Sequence, residues 1–241
     1  MSKQKILAII PARAGSKRIL GKNIKNFLGR PLIAYTIKQA FACNFIDRVI
    51  VDTDSEEIAK VAKKYKAEVP WLRPDKLAKD SSLLIDSILY SLNRFKKEQK
   101  YQPDYVIILQ TTSPLREVQD IKDCWQEARI GDATTALTVC STHPKLYNLD
   151  KNNFLKLVNG SEKKSNNTQT WQSGYILNGC FVYIIKTSAL LKEKIIITKK
   201  TKAVVFPKWR SIDLDTPEEW AMAEVLYKNK QKIVKRIKQL N

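Results

Sequence analysis

The sequence predicts an α/β domain with a mostly parallel sheet and helices on both faces, and three observations carry that expectation. Ile6–Ile10, Asp47–Asp52 and Asp104–Gln110 are near-continuous apolar runs of strand length, the pattern of strands buried on both sides. Segments of helical period lie between them. Strand and helix alternate along most of the chain, which calls for right-handed crossovers and places ligands at the carboxyl ends of the strands. At 241 residues, 44% of them hydrophobic, the chain can bury one large core, so residues 1–241 read as a single domain.

In order, Ile6–Ile10 is the first strand, closed by Pro11. Residues 31–42 read as a helix with Pro31 in its first turn. Asp47–Asp52 is the second strand, and Ser55 is a suitable N-cap for a helix over Glu56–Tyr65, with acidic residues in its first turn. Ala67–Trp71 is a short extended piece. Ser82–Lys97 is helical, with Leu84, Ile85, Ile88, Leu89 and Leu92 on one side, and Asp104–Gln110 is the clearest buried strand. Glu117–Arg129 is helical and Ala133–Cys140 extended. From 141 to 174 the rhythm breaks: Asn148, Asn152, Asn153, Asn159, Gly160, Asn166 and Asn167 punctuate short apolar pieces, as in a hairpin-like flap or a surface loop. Strands return at 180–185 and 202–206, and Thr216 caps the last helix. The loops after Ile10, Val51 and Leu109 are expected to meet at one edge of the sheet.

The first of those loops carries Arg13, Lys17, Arg18 and Lys22 within ten residues, interleaved with Gly15, Ser16, Gly21 and Asn23. A buried strand feeding such a loop suits a polyphosphate: glycines admit the anion to the backbone, and the cations neutralise it. It is not a Walker loop, since five residues rather than four separate Gly15 from Gly21 and Lys22 precedes Asn23; the dinucleotide fingerprint is also missing. On spacing alone a solvated basic turn is an equal reading.

Composition narrows the class. The opening Met1-Ser-Lys-Gln-Lys leads into an apolar run too short for a signal peptide or a membrane span. Cys43, Cys124, Cys140 and Cys180 are scattered and there is one histidine, which excludes most zinc frameworks and fits free thiols in a reducing cytoplasm. The net charge of +19 raises nucleic acid or an anionic membrane surface as a partner. The lysines are spread along the chain, however, and the one dense block, Lys228–Lys238, reads as a solvated helix end. No nucleic-acid motif or aromatic platform accompanies it. The expectation is a cytoplasmic protein with neither a nucleic-acid nor a membrane partner.

The basic loop resembles the signature Pro-Ala-Arg-x-Gly-Ser-Lys-Arg…Lys-Asn of the acylneuraminate cytidylyltransferases, which make CMP-sialic acid and related CMP-nonulosonic acids. Further matches follow in family order: residues 52–59 (DTDSEEIA), 73–80 (RPDKLAKD), 109–116 (LQTTSPLR), 175–179 (YILNG) and 212–219 (IDLDTPEE). Each is weak alone; the ordered set is specific and spans most of the chain.

The resemblance implies a Rossmann-like fold of the nucleotide-diphospho-sugar transferase type, with residues 141–174 as a dimerisation insertion reaching into the partner's site. It implies attack of a nonulosonic acid's anomeric hydroxyl on the α-phosphorus of CTP, with release of pyrophosphate. Arg13 and Lys22 become the principal triphosphate contacts, assisted by Lys17, with Asn23 near the nucleoside. Arg73 and Ser82 match positions recognising cytosine and ribose, with Ala78 and Asp80 shaping that loop. Gln110, Gln169, Tyr175 and Asn178 fall to the acceptor sugar.

Asp213 and Asp215 would share Mg²⁺, with Asp215 completing the catalytic set of Arg13 and Lys22. In an extended segment, i and i+2 face one way about 7 Å apart; an isolated Asp-x-Asp before Thr216 also reads as preparation for the helix cap. Thr111, Thr168, Gln172 and Val182 depart from the family pattern, so the nucleotide half matches better than the acceptor half. Lys145, Lys163 or Lys164 are candidates for the missing flap cation at Thr168, though lysine lacks arginine's fork. Two other readings are weighed. A 3-deoxy-manno-octulosonate cytidylyltransferase is disfavoured by Gly15, Lys17 and Asn23; a basic nucleic-acid-binding protein is a different class altogether.

Overall fold

The computed structural model describes residues 3–149, 151–158, 173–179 and 181–240. Its centre is a seven-stranded sheet of order β11-β6-β10-β5-β1-β4, with β9 added antiparallel along the end of β6. β1 (Ile6–Pro11) pairs in parallel with β4 (Arg48–Asp52) and β5 (Tyr105–Leu109), and β6 (Thr135–Thr142) with β11 (Thr201–Val205). β10 (Val182–Lys186) runs antiparallel between β5 and β6. The sheet is therefore mostly parallel, as expected.

β1 shows why its run lacks alternation. Ile6, Ala8 and Ile10 face one apolar cluster with Ile33 and Ile37 of α1 (Leu32–Phe41), Ile58 of α2 (Glu56–Lys64) and Trp125 of α4 (Val118–Ala128). Leu7 and Ile9 face the opposite cluster with Ile88, Leu92 and Phe95 of α3 (Leu84–Gln99) and Leu190 of α5 (Thr187–Glu193). Every position is covered, and each large side chain so buried contributes about 1.5–3 kcal/mol.

The helices begin much as their caps dictate. Ser55 Oγ accepts from Ile58 N at 3.3 Å, opening α2. Pro31 lies one position earlier than expected, as the N-cap of α1, where it also ends the small hairpin of β2 (Asn26–Phe27) and β3 (Arg30–Pro31). The piece over 67–71 contributes only a bridge between Ile50 and Glu68. α5 was not anticipated; its seven residues follow directly from β10. α6 (Pro217–Leu240) starts from a reciprocal cap, Glu219 N donating to Thr216 Oγ1 and Thr216 N to Glu219 Oε2.

The excursion after β6 holds the two-stranded hairpin of β7 (Tyr147–Leu149) and β8 (Leu155–Leu157) and returns through β9 (Gly174–Ile176). β9 pairs Gly174 with Thr142 and Tyr175 with Ser141, so both ends of the expected flap belong to the sheet. Cys43, Cys124 and Cys140 are buried free thiols.

Candidate active site

The basic loop leaves the carboxyl end of β1 and folds back on itself through short backbone bonds, Lys22 N to Ile19 O at 3.2 Å and Lys25 N to Gly21 O at 3.0 Å. It is anchored from three sides. Ala14 N donates to Asp54 Oδ1 at 2.8 Å, from the loop after β4. Asn23, buried, donates through Nδ2 to Arg13 O at 2.9 Å and accepts at Oδ1 from Thr111 Oγ1 at 2.5 Å, from the loop after β5. Beneath it Phe27 packs edge-on against Trp220 of α6, ring centroids 5.4 Å apart, in a cluster with Leu32, Tyr35 and Leu214. The three strand-end loops meet as the alternation requires.

The loop walls a cleft of about 520 Å³, within the range of small-molecule sites. Arg13, Lys17, Lys22, Asn23, Arg73, Ser82, Gln110 and Asp215 all line it, so eight of the predicted residues come together. Ala78, Tyr175, Asn178 and Asp213 are not on its wall. Gln169 lies outside the described residues, as do Thr168, Gln172, Lys163 and Lys164.

The four cations are held in two pairs by two carboxylates. Asp80 bridges Arg13, at 2.9 Å, and Lys17. The Lys17 ammonium, with Arg13 behind it, holds the Asp80 carboxyl below its ordinary range. Asp215 bridges Lys22, at 2.9 Å, and Arg18, at 3.2 Å. Lys22 Nζ also donates to Leu214 O at 2.7 Å. A cleft walled by these four loop cations, with Arg73 and Lys79 also on its lining, is built for a polyanion, whose oxygens could replace the loop cations' present partners.

Arg73 has a different footing. Its guanidinium is buried, donating through Nε and Nη2 to the two oxygens of buried Asp52 at 3.1 and 2.8 Å; Ser87 Oγ also donates to Asp52. The side chain thus clamps the strand end of β4 to its own loop while bordering the cleft. Ser82 Oγ donates to Lys76 O at 3.0 Å, closing the loop that carries Asp80. Asn178 Nδ2 donates to Ser211 O at 2.7 Å, and a Cβ on Gly179, which has φ +61°, would lie 2.6 Å from the Ser211 carbonyl carbon. The pair fixes the chain just before Asp213.

The aspartates do not sit on an extended segment. Asp215 N donates to Asp213 O at 2.9 Å, closing a three-residue turn around Leu214, which is fully buried in the Phe27–Trp220 cluster. Asp213 is turned inward and Asp215 toward the cleft. Burial raises the Asp213 carboxyl above its ordinary value, and the neighbouring Asp215 charge adds to the rise. Its Oδ1 is buried without a well-formed hydrogen bond, and the Thr112 hydroxyl beside the carboxyl opposes the rise. Sequence reasoning missed the loop-holding roles of Asp54 and Thr111, the counter-ion role of Asp80 and the pairing of Arg18. Only contacts between distant segments reveal them.

Residues 7–234 match the model of a family described as cytidylyltransferase. The chain is 36% identical over 228 residues to the CMP-N,N'-diacetyllegionaminic acid synthase of Legionella pneumophila, covering 92% of this chain and 96% of that protein. It is 32% identical to a pseudaminic acid cytidylyltransferase of Campylobacter jejuni, over 93% of this chain and 97% of that one. Among solved structures, a CMP-2-keto-3-deoxy-manno-octonic acid synthetase complexed with CTP shares the fold, with a TM-score of 0.68 at 16% identity over 94% of this chain and 99% of that chain. The match runs from β1 into α6 and takes in the whole cation-lined cleft: the chain belongs to the cytidylyltransferase family and is a nucleotidyltransferase.

Proposed function

We propose that the enzyme transfers CMP from CTP to the anomeric hydroxyl of a sialic-acid-like nonulosonic acid, releasing pyrophosphate. The observation that carries this reading is the double pairing of Arg13 and Lys17 on Asp80, and of Lys22 and Arg18 on Asp215, around one cleft. A triphosphate entering there exchanges ion pairs, solvent-exposed at Arg13, Lys17 and Arg18 and largely covered at Lys22, for charge-assisted bonds to its own oxygens. Little covalent work then falls to the protein; positioning and electrostatic stabilisation supply the acceleration. The relatives named for legionaminic and pseudaminic acid support an acceptor of that class over an octulosonate.

Asp213 and Asp215 suit a hard cation. Asp215 stands on the cleft wall and Asp213, turned inward behind it, keeps a buried oxygen without a well-formed hydrogen bond that an ion could take up; Mg²⁺ takes few protein carboxylates alongside substrate phosphates. Held there, Mg²⁺ would withdraw charge from the phosphate oxygens. The protein's own part is to hold Lys22 against Leu214 O and Asp215, and to fix Arg13 through the Asn23 contact to its carbonyl. We read the enzyme as a cytoplasmic homodimer. The β7–β8 hairpin supports the dimer, because Leu149 and Leu155, opposite one another, expose an apolar face.

The test is pyrophosphate release with each nucleoside triphosphate crossed with sialic, legionaminic, pseudaminic and octulosonic acids. Turnover is expected with CTP and a nonulosonic acid. Turnover only with the octulosonic acid, or none with CTP, would overturn the reading.

A further inference from the structure

The first half of α6 is docked and the second half is not. Trp220, Ala223 and Tyr227 pack with Phe27 and Leu214, and Lys230 Nζ lies 2.5 Å from Glu117 Oε1. From Lys228 onward no described residue is buried: Asn229, Lys230 and Ile233 are partly covered, Val234 and Ile237 are each 38% exposed, and Leu240 is 70% exposed. Yet this stretch is strongly two-faced. Ile233, Val234, Ile237 and Leu240 recur at i, i+1, i+4 and i+7, a single apolar stripe that continues the docked face. Lys228, Lys232 and Lys235, at i, i+4 and i+7, follow the opposite side with Arg236 beside them. No acidic residue follows Glu224, while six cations do. A merely solvated helix end would have no use for the apolar stripe.

We propose that the projecting half of α6 docks on an anionic lipid bilayer surface, its stripe in the headgroup–acyl boundary and its lysines on headgroup phosphates. Charge decides the occupant. A second copy packed stripe to stripe would leave both lysine rows outward and unneutralised while bringing together two chains each at +19, whereas anionic headgroups complement the charge. Nucleic acid would satisfy the lysines but not Ile237 and Leu240. The apolar stripe and the cationic row are two signals in one element, as stable peripheral anchoring requires. The helix lies on the surface; no helix among the described residues is long and apolar enough to cross a membrane. The proposal is independent of the reaction assigned to the cleft.

Flotation of the full chain with phosphatidylglycerol-containing vesicles and with pure phosphatidylcholine vesicles tests it, using I237S/L240S and K232E/K235E. None of these four residues lines the cleft, so CTP-dependent turnover serves as the folding control. Wild type should float with anionic vesicles only, and high salt should weaken it. K232E/K235E should lose roughly twentyfold or more in partition, at about fivefold per surface cation. I237S/L240S should lose roughly tenfold or more at unchanged charge. Failure to float with anionic vesicles overturns the proposal. So does wild-type flotation by I237S/L240S, which leaves only non-specific adhesion of a basic protein. A change of oligomeric mass in I237S/L240S with vesicle binding intact would reassign the face to a contact between copies. Salt-sensitive duplex binding without vesicle binding would reassign it to nucleic acid.

Discussion

Lys22 and Asp215 close the candidate site across 193 residues of sequence, Nζ standing 2.9 Å from Oδ1 while also donating to the Leu214 carbonyl. Their contact joins the first strand's loop to the entry of the last helix. Lys22→Ala should therefore lower turnover by about a hundredfold to a thousandfold, as loss of one preorganised charge-stabilising group does. Because its side chain is largely covered, the variant should also lose about 1 kcal/mol by leaving Leu214 O unpaired. Arg13→Ala should show the same kinetic loss with stability within about 0.5 kcal/mol, since its pair with Asp80 is half-exposed. Pyrophosphate release and thermal melts separate the two; wild-type rates in both would remove the phosphate-loop assignment.

Asp215→Asn and Asp213→Asn separate metal holding from helix capping. As metal ligands, both variants should fall by orders of magnitude in turnover, and the tightening of CTP binding by Mg²⁺, read by calorimetry, should weaken in both. As preparation for the cap at Thr216, asparagine would be nearly silent. Asp215→Asn also frees Lys22 and Arg18, so Asp213→Asn, which pairs with neither, is the more diagnostic. Unchanged Mg²⁺ dependence in Asp213→Asn would end the metal proposal.

Asp213→Asn has a second, opposite consequence for stability. The raised carboxyl binds its proton more tightly in the fold than in the unfolded chain, so the ionised form destabilises the fold as pH rises from the unfolded value through the folded one. Removing the titration should stabilise the metal-free protein at neutral pH, read as a rise in Tm. The gain should vanish below about pH 4, where both states are protonated. Equal melting of variant and wild type across that range would show that the carboxyl meets no penalty there.

Arg73 is expected to matter for folding before it matters for nucleotide. Its partner Asp52 is almost wholly enclosed, and the side chains are 6% and 2% exposed. Arg73→Ala leaves a buried charge unpaired and should destabilise by about 3–5 kcal/mol, far more than Arg13→Ala. Urea denaturation measures it. A loss under 1 kcal/mol would mean that water reaches Asp52, and that the guanidinium is free to serve the ligand.

The parts legible in the sequence were those that local pattern determines. β1 and β5 announce themselves because both faces are covered and no polar residue interrupts them, and Ser55 caps α2 through a contact three residues long. The clustering of Arg13, Lys22 and Gln110 followed from strand alternation alone. What stayed hidden depends on distant segments. β10 enters antiparallel between β5 and β6, which no local feature of Val182–Lys186 dictates. The expected common face of Asp213 and Asp215 failed because Leu214 is drawn into the Phe27–Trp220 cluster, bending the chain there. Arg73 reads only as a match to a nucleoside-recognising position until Asp52, 21 positions earlier, is seen beside it.

The β7–β8 hairpin should hold the dimer. An isolated two-stranded hairpin is at best marginally stable in water, yet this one places Leu149 and Leu155 in register opposite each other, 64% and 67% exposed. Two leucines facing solvent on one side of a minimal ribbon are stabilised only when something covers them, and a symmetric second copy covers both at once. L149S/L155S should therefore convert dimer to monomer by light scattering. The melting transition of the central sheet should move little, because neither side chain is buried within one protomer. If the partner's flap also completes the acceptor side, turnover should fall at least about tenfold in the monomer while CTP affinity, set by Arg13, Lys17 and Lys22, persists. A dimer that survives the double substitution would place the interface elsewhere. A fully active monomer would show that each cleft is complete on its own.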